Sequence, residues 1–239
     1  IGMVKRGLVV NTDTASDSKH AQAPSVLFKD GEYKMWYGAF DNIKWCISYA
    51  NSSDGLAWAK YGPVLTTGSL LQPDSSIVSY PTVLFDGEYK MWYSGYDGSV
   101  WRILYANSSD GLVWTKHGVV LSPGSPGSFD DTNIYTSTVL KAGEYKMWYT
   151  GVDGLKYHIM YANSTDGVIW TKHNQSMMPA EGPGERWGDA GTQYPEVDYD
   201  GQTYRMWYNR IGSNCYRTHY AESADGLAWD DMEIGRAHV

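Results

Sequence analysis

Glu196 is the residue whose type and position most invite chemistry. It heads a short strand-like stretch, Glu196–Tyr199, where three sister stretches of the same chain have Ser25, Thr82 and Thr138. A carboxyl beside Trp187 and Tyr194 would lose hydration, and desolvation raises a carboxyl pKa toward the value a general acid needs. One further carboxylate recurs ahead of each of these stretches: Asp17, Asp74, Asp130 (with Asp131) and Asp189 stand seven or eight residues before them. Paired carboxyls are what general acid–base catalysis uses, one to give a proton and one to take it. Asp74, Asp130 or Asp17 could therefore serve as base or modulator to Glu196. A ring of such carboxylates could also hold polyol hydroxyls or an axial Ca²⁺, which needs six to eight oxygens. The competing reading is that each Asp secures a turn within its own repeat.

The surroundings of Glu196 break the pattern elsewhere too. Asn209-Arg210 replaces Gly38-Ala39, Ser94-Gly95 and Thr150-Gly151, and His219 takes the place of Ser48, Leu104 and Met160. The loop before the strand is lengthened and holds Glu181, Glu185, Arg186, Trp187 and Asp189. Trp187, Asp189, Gln193, Tyr194, Arg210 and His219, with Tyr80 in the slot matching Tyr194, are the candidate substrate-binding residues. Drift of a terminal repeat would produce the same breaks without function.

These residues ride on a tandem repeat. Gly-Glu-Tyr-Lys-Met-Trp-Tyr occurs at Gly31–Tyr37, Gly87–Tyr93 and Gly143–Tyr149 and returns altered at Gln202–Tyr208, with closing tyrosines 56, 56 and 59 residues apart. A second marker keeps the same step: Asp54-Gly55, Asp110-Gly111, Asp166-Gly167 and Asp225-Gly226, followed by Trp58, Trp114, Trp170 and Trp229. Two markers on one period establish a repeat architecture. Each repeat reads as four short strands. The first is Ser25–Phe28, Thr82–Phe85, Thr138–Leu140 or Glu196–Tyr199, followed by a tight Gly turn. The second is Tyr-Lys-Met-Trp-Tyr, whose alternation puts Tyr33, Met35 and Tyr37 opposite Lys34 and Trp36. The third ends in an Asp-Gly turn, and the fourth runs Trp58–Leu65, Trp114–Leu121 or Trp170 to about Met177. A four-stranded sheet cannot bury both faces alone, so the repeats must stack on one another. The expected fold is an all-β propeller, with blades at about 14–66, 70–122, 129–178 and 187–233.

Composition narrows the partners. Twenty Tyr and 11 Trp against four Phe, in 239 residues, favour positions half in a core and half at a wet groove. A formal net charge of −8 argues against a phosphate-backbone partner. No run of 18 apolar residues is present, so no membrane-spanning helix is expected. Cys46 and Cys215 fall in different repeats and read as isolated thiols. Four Asn-x-Ser/Thr sequons occur, at Asn51, Asn107, Asn163 and Asn174, and three of them are one repeat position.

The ends carry their own expectations. Lys5–Val10 matches the outer-strand endings Lys60–Leu65 and Lys116–Leu121, which predicts an orphan outer strand at 4–10 and a parent of five blades. Ile1-Gly2-Met3 opens without a signal-peptide pattern, and the compartment stays open, extracellular or periplasmic included. Ile234–Val239 resembles the translation of a sequencing adapter. The expectation is one propeller domain over 1–233 from environmental sequencing, with a non-native tail at 234–239. A ring lacking a blade would expose a Tyr- and Trp-lined face and self-associate.

Taken together, Tyr-Lys-Met-Trp-Tyr-Ser-Gly, Ile-x-Tyr-Ala-x-Ser-x-Asp-Gly-x-x-Trp and the Val-Leu endings resemble the five-bladed propellers of the glycoside hydrolase superfamily of families 43, 32 and 130. The resemblance covers about residues 20 to 233. It implies a carbohydrate site at one mouth of the axial channel, lined by the starts of the innermost strands; an oligo- or polysaccharide is the expected partner, and apart from the axial Ca²⁺ weighed above no cofactor is expected. In family 43 an Asp base, an Asp modulator and a Glu acid come from successive blades. This chain departs there: the slot before the strand Pro, where the family has its Asp base, holds Ala23, Tyr80, Thr136-Ser137 and Tyr194, and Glu181-Gly182-Pro183 imitates the acid motif too far from a strand. Sialidase propellers fit less well, since the Asp turn lacks their extra residue and no arginine triad is present. Two functions stay open: a glycoside hydrolase or phosphorylase using Glu196, and a non-catalytic glycan-binding or structural propeller. Nucleophilic Ser or Cys chemistry has no supporting motif.

Overall fold

The computed structural model describes residue 12 and residues 16–178, 191–211 and 216–232. The expected orphan strand at 4–10, the expected tail, Cys215, Trp187, Asp189 and the rest of the 179–190 loop lie outside the described residues. Every described regular element is a strand. β1 (His20–Lys29), β2 (Glu32–Phe40), β3 (Trp45–Ser52) and β4 (Ala59–Thr66) form one antiparallel sheet in that order. β5 (Ile77–Asp86), β6 (Glu88–Tyr96), β7 (Trp101–Ser108) and β8 (Thr115–Leu121) repeat it. β9 (Asn133–Ala142), β10 (Glu144–Val152), β11 (Tyr157–Ser164) and β12 (Thr171–His173) make the third blade, and β13 (Gly191–Tyr199), β14 (Tyr204–Ile211), β15 (Tyr216–Ser223) and β16 (Asp230–Met232) the fourth. A single parallel bridge, Tyr157 to Gly191, joins these last two. Gly191 is required there, because a Cβ would run into the Tyr157 carbonyl oxygen. The chain groups into two compact units, one of Ile1–Ser99 with Ala106–His117 and one of Val100–Tyr105 with Gly118–Val239.

The second strands form the core. Trp36, Met91, Trp92, Tyr93, Met147, Trp148 and Tyr149 are completely buried, so both faces of these strands are covered. Lys34 and Trp36 do alternate against Tyr33, Met35 and Tyr37, but Trp36 is not on a solvent face. Its indole packs on Tyr49, Tyr89 and Trp114 and donates to the Gly111 carbonyl at 2.7 Å. Trp148 does the same in the second unit, donating to Gly226 at 2.8 Å beside Trp229. Each of these Asp-Gly turns thus accepts two indoles, one from the preceding blade and one from its own Trp114 or Trp229. The glycine is fixed twice over: φ is +78° at Gly111 and +79° at Gly226, and a Cβ would stand 2.8 Å from Trp36 or Trp148.

The turn aspartates are structural, as the repeat implied. Asp110 Oδ1 accepts from the Leu112 and Val113 amides at 2.8 and 2.9 Å and from Ser108 Oγ. These amide bonds hold the Asp54, Asp110, Asp166 and Asp225 carboxyls below the usual range. The repeated sequon asparagines are engaged too, Asn107 donating to Glu88 at 2.8 Å and facing His117 at 2.7 Å.

Two strand expectations need correction. The first strands begin about five residues earlier than predicted, because a bulge lets the chain stay paired before the Pro. The fourth strand of the third blade is only Thr171–His173, although the predicted span reached Met177.

Candidate functional site

In each of the first, third and fourth blades, strand pairing sets the head of the first strand beside the tail of the second and the head of the third. His20 pairs Phe40 and Phe40 pairs Trp45; Asn133, Val152 and Tyr157 match them, as do Gly191, Ile211 and Tyr216. The Asp-Gly turns lie at the opposite end of each blade. A few residues inside the head end, the first strand bulges. The bulge puts a non-glycine residue at positive φ in every blade: Ala23 at 48°, Tyr80 at 52°, Thr136 at 42° and Tyr194 at 56°. Such conformations cost on the order of 1–3 kcal/mol each and concentrate at functional sites. This is the slot where the resemblance put the family's Asp base.

Asp17, Asp74 and Asp130 are brought to one equivalent position, but each is almost wholly buried within its own blade. Asp17 accepts from Tyr37 Oη at 3.0 Å and Lys60 Nζ at 2.9 Å. Asp74 accepts from Tyr93 Oη at 3.0 Å and Lys116 Nζ at 2.6 Å, and Asp130 from Tyr149 Oη at 2.9 Å and Lys172 Nζ at 2.5 Å. A buried carboxylate demands such partners. Burial, then the facing Asp, pushes the Tyr37, Tyr93 and Tyr149 hydroxyls far above the ordinary range. Each of these carboxylates is thus engaged within its own blade by one tyrosine and one lysine. Among the described residues no group of three or more His, Cys, Asp or Glu is placed to hold a metal ion.

The fourth blade inverts this arrangement. Asp231 stands where Lys60, Lys116 and Lys172 do, and Arg210, from the second strand, supplies the cation. Arg210 Nη2 donates to Asp231 Oδ2 at 2.7 Å, and its Nε donates to Tyr208 Oη at 3.3 Å. Its guanidinium is buried, and Nη1 has no hydrogen-bond partner among the described residues. His219 Nδ1 lies 3.7 Å from Asp231 Oδ1, with its ring 5.5 Å from Tyr208. Arg210, His219 and Asp231 therefore meet, whereas Glu196 is engaged on the other side, by the first strand of the neighbouring blade.

Glu196 is exposed at the residue level, yet its Oε2 accepts from Thr138 Oγ1 at 3.2 Å. The single proton of that hydroxyl is shared with the Pro195 carbonyl, which lies closer, at 2.7 Å. At the matching position of the first blade, Ser25 Oγ accepts from the Val83 amide at 2.9 Å, so this slot normally bridges neighbouring first strands. Desolvation by the strands around it, and then the charge of Asp198, raise the Glu196 carboxyl, while the Thr138 bond works the other way. Asp198 was not a sequence-level candidate. It replaces Leu27, Leu84 and Leu140, a signal that was present in the aligned repeats.

The remaining candidates sit at the head end. Gln193 is buried and its Oε1 accepts from Tyr135 Oη at 3.2 Å. Tyr194 is exposed, its amide donates to Thr150 Oγ1 at 3.1 Å, and its ring lies 6.1 Å from Tyr135. Tyr135, Trp101 and Tyr157, which join Tyr194 here, were missed. The visible signal was an aromatic opening the third strand of every repeat: Trp45, Trp101, Tyr157 and Tyr216.

No protein-family model matches the chain. Over 142 residues it is 36% identical to uncharacterized proteins of Mycobacterium tuberculosis strains CDC 1551 / Oshkosh and ATCC 25618 / H37Rv, covering 54% of this chain. The match takes in 45% of those relatives, so the chain spans under half the length of the curated proteins it resembles. Among solved structures, a glycoside hydrolase superposes with a TM-score of 0.77 at 17% identity, over 95% of this chain and 76% of that one. A member of the GH130 family of mannoside phosphorylases, described as containing hydrolases that target β-1,2 mannosidic linkages in Candida mannan, gives 0.73 at 20% identity over 90% of this chain and 70% of that one. A family 117 glycoside hydrolase of the marine bacterium Zobellia galactanivorans gives 0.72 at 16% identity, over 90% of this chain and 69% of that one. The chain shares the all-β propeller fold of these solved structures.

Proposed function

We propose that this chain is part of a carbohydrate-active propeller that cleaves a glycosidic bond, by hydrolysis or phosphorolysis, with Glu196 as general acid. The observation that carries this is the Glu196 carboxyl itself. It interrupts a position otherwise given to Ser and Thr, it stays accessible, and its surroundings favour the protonated form. Arg210, whose pairing with Glu196 would have favoured the ionised form, is instead engaged by Asp231. Solved glycoside hydrolases and phosphorylases of the same fold support the reaction class.

The aspartates Asp17, Asp74 and Asp130 are each held by a lysine and a tyrosine, which leaves them poorly placed to act as base. Asp198 is the better partner. It follows Glu196 by two residues on β13. Side chains two apart on a strand share a face at about 7 Å, inside the separation that lets a water or phosphate stand between two carboxyls. The engaged aspartates also favour a second reading, a glycan-binding propeller without turnover.

Turnover on a panel of aryl mannosides, arabinosides, xylosides and galactosides, with and without phosphate, separates the two. Glu196→Gln should lower kcat by roughly 100-fold or more while the melting temperature holds, and Asp198→Asn should also slow turnover. Unchanged turnover in Glu196→Gln would refute the assignment. A wild-type protein that binds glycans but turns over none of them favours the second reading.

A further inference from the structure

We propose that Trp101, Tyr135, Tyr157 and Tyr194 form a stacking platform for one ring of a neutral oligosaccharide; the inference rests on the carbohydrate reading above. Tyr135 is the hub. Its ring centroid lies 6.0 Å from Trp101, 6.4 Å from Tyr157 and 6.1 Å from Tyr194, at interplanar angles of 52°, 79° and 63°. All four residues belong to the second compact unit, on β7, β9, β11 and β13. Trp101, Tyr135 and Tyr157 are half-buried and Tyr194 is 36% exposed, so the cluster is neither core nor scattered surface. Tilted and edge-on rings leave faces for C–H groups, and phenol and indole tips can exchange hydrogen bonds with hydroxyls at their rim.

Two further features show that this cluster is built. Tyr135 immediately precedes Thr136 and Gln193 immediately precedes Tyr194, and Thr136 and Tyr194 hold φ at 42° and 56°. Strained conformations persist only where the surroundings over-determine them. Here the Tyr194 amide donates to Thr150 Oγ1 at 3.1 Å, and Thr150 Oγ1 lies 2.8 Å from Thr136 Oγ1. One threonine thus pins both bulges, and the bulges set Tyr135 against Gln193 and Tyr194. The Tyr135 hydroxyl then donates to Gln193 Oε1 at 3.2 Å, which fixes a buried amide at the edge of the rings. The Asn133 side chain, at the head of the same strand as Tyr135, accepts from the Trp101 amide at 2.9 Å and holds the start of β7.

The ligand class follows from shape and charge. A pyranose or furanose ring offers an apolar face bordered by hydroxyls, which matches aromatic walls with amide and phenol tips. A chain of formal net charge −8 repels a polyanion, so the saccharide is neutral rather than uronate-rich.

Native affinity electrophoresis in gels holding β-mannan, arabinoxylan, arabinan or polygalacturonate tests this, with each variant's fold checked by its melting temperature. The wild type should be retarded by at least one neutral polysaccharide and not by polygalacturonate. Tyr194→Ala should weaken retardation at least tenfold in apparent Kd, Tyr135→Ala at least as much, and Tyr135→Phe, which keeps the ring and removes only the hydroxyl, a few-fold. If Tyr135→Ala does not fold, Tyr194→Ala alone decides, since that ring is exposed. Wild-type retardation that survives both alanine variants would overturn the platform while leaving the carbohydrate reading in place. Retardation by polygalacturonate alone, or by none of the four, would overturn the platform too. The reaction itself is judged separately, by turnover in Glu196→Gln.

Discussion

Removing Lys172 isolates a carboxylate that the fold has buried. Asp130 is 1% exposed and accepts from Lys172, Tyr149 and Ser128. Lys172→Met keeps most of the apolar stem but deletes the ammonium, and with it the bond to the Ser122 carbonyl. Breaking one partner of a buried ion pair costs about 3–5 kcal/mol. Two hydroxyls still serve Asp130, and the Lys172 side chain is 17% exposed, so the lower end, about 3 kcal/mol, is expected. In a domain of this size each kcal/mol moves the melting temperature by roughly 2–4 °C, giving a drop of roughly 6–12 °C. Asp130→Asn should also destabilise, by leaving the ammonium without its counter-charge. The double variant removes both charges and should recover part of the loss, with a coupling of about 1–3 kcal/mol. Differential scanning calorimetry of the four proteins reads these values. Single variants that melt within about 2 °C of the wild type, taking the same scale, would show that the pair is not structural, and would return Asp130 to the catalytic candidates.

Three further outcomes are expected. Asp110→Ala leaves two turn amides without their acceptor and should cost roughly 1–3 kcal/mol in chemical denaturation, with glycan binding intact below its melting point; lost binding at unchanged stability would move the ligand to the turn end of the blades. Gly226→Ala forces a Cβ to 2.8 Å from Trp148 at φ +79°, and should lower the melting temperature and disturb the Trp near-ultraviolet signal; an unchanged signal would contradict the indole lock. The third concerns pH. Because the folded pKa of Glu196 is raised, its stabilising contribution is complete below the unfolded value of about 4.3 and is lost as pH rises through the folded pKa. Glu196→Gln does not titrate, so its stability relative to the wild type should climb from about pH 4 and then level off. A difference that is flat with pH would mean the carboxyl is not desolvated.

The repeat, its four strands and the Asp-Gly turns were legible because backbone demands leave residue-type signatures: Gly at positive φ, Asp over exposed amides, Trp where an indole must reach a carbonyl. The role of Asp17, Asp74 and Asp130 was not. Spacing reveals that an aspartate recurs, but Lys60, Lys116 and Lys172 reach it from 42 or 43 positions away, and burial cannot be read from recurrence. Arg210 was visible as a break in the pattern, whereas its pairing with Asp231, which stands at the lysine position of the other blades, emerged only from the structure of β14, β15 and β16. The bulges were hidden because Ala23, Tyr80, Thr136 and Tyr194 are not residues that advertise positive φ. Tyr135 gave no sign of its three ring neighbours, since they come from strands distant in sequence. Trp187 and Asp189, outside the described residues, keep the standing that the sequence gives them.

The acid role of Glu196 beside an aromatic platform is tested most directly by a crystal structure of Glu196→Gln with an uncleaved neutral oligosaccharide bound. A sugar ring is expected against Tyr135 and Tyr194, with the scissile glycosidic oxygen about 2.6–3.2 Å from the residue-196 amide, the reach a proton donor requires. A saccharide seated at the Asp-Gly turns, or at the strand heads with its glycosidic oxygen beyond the reach of position 196, would contradict that role.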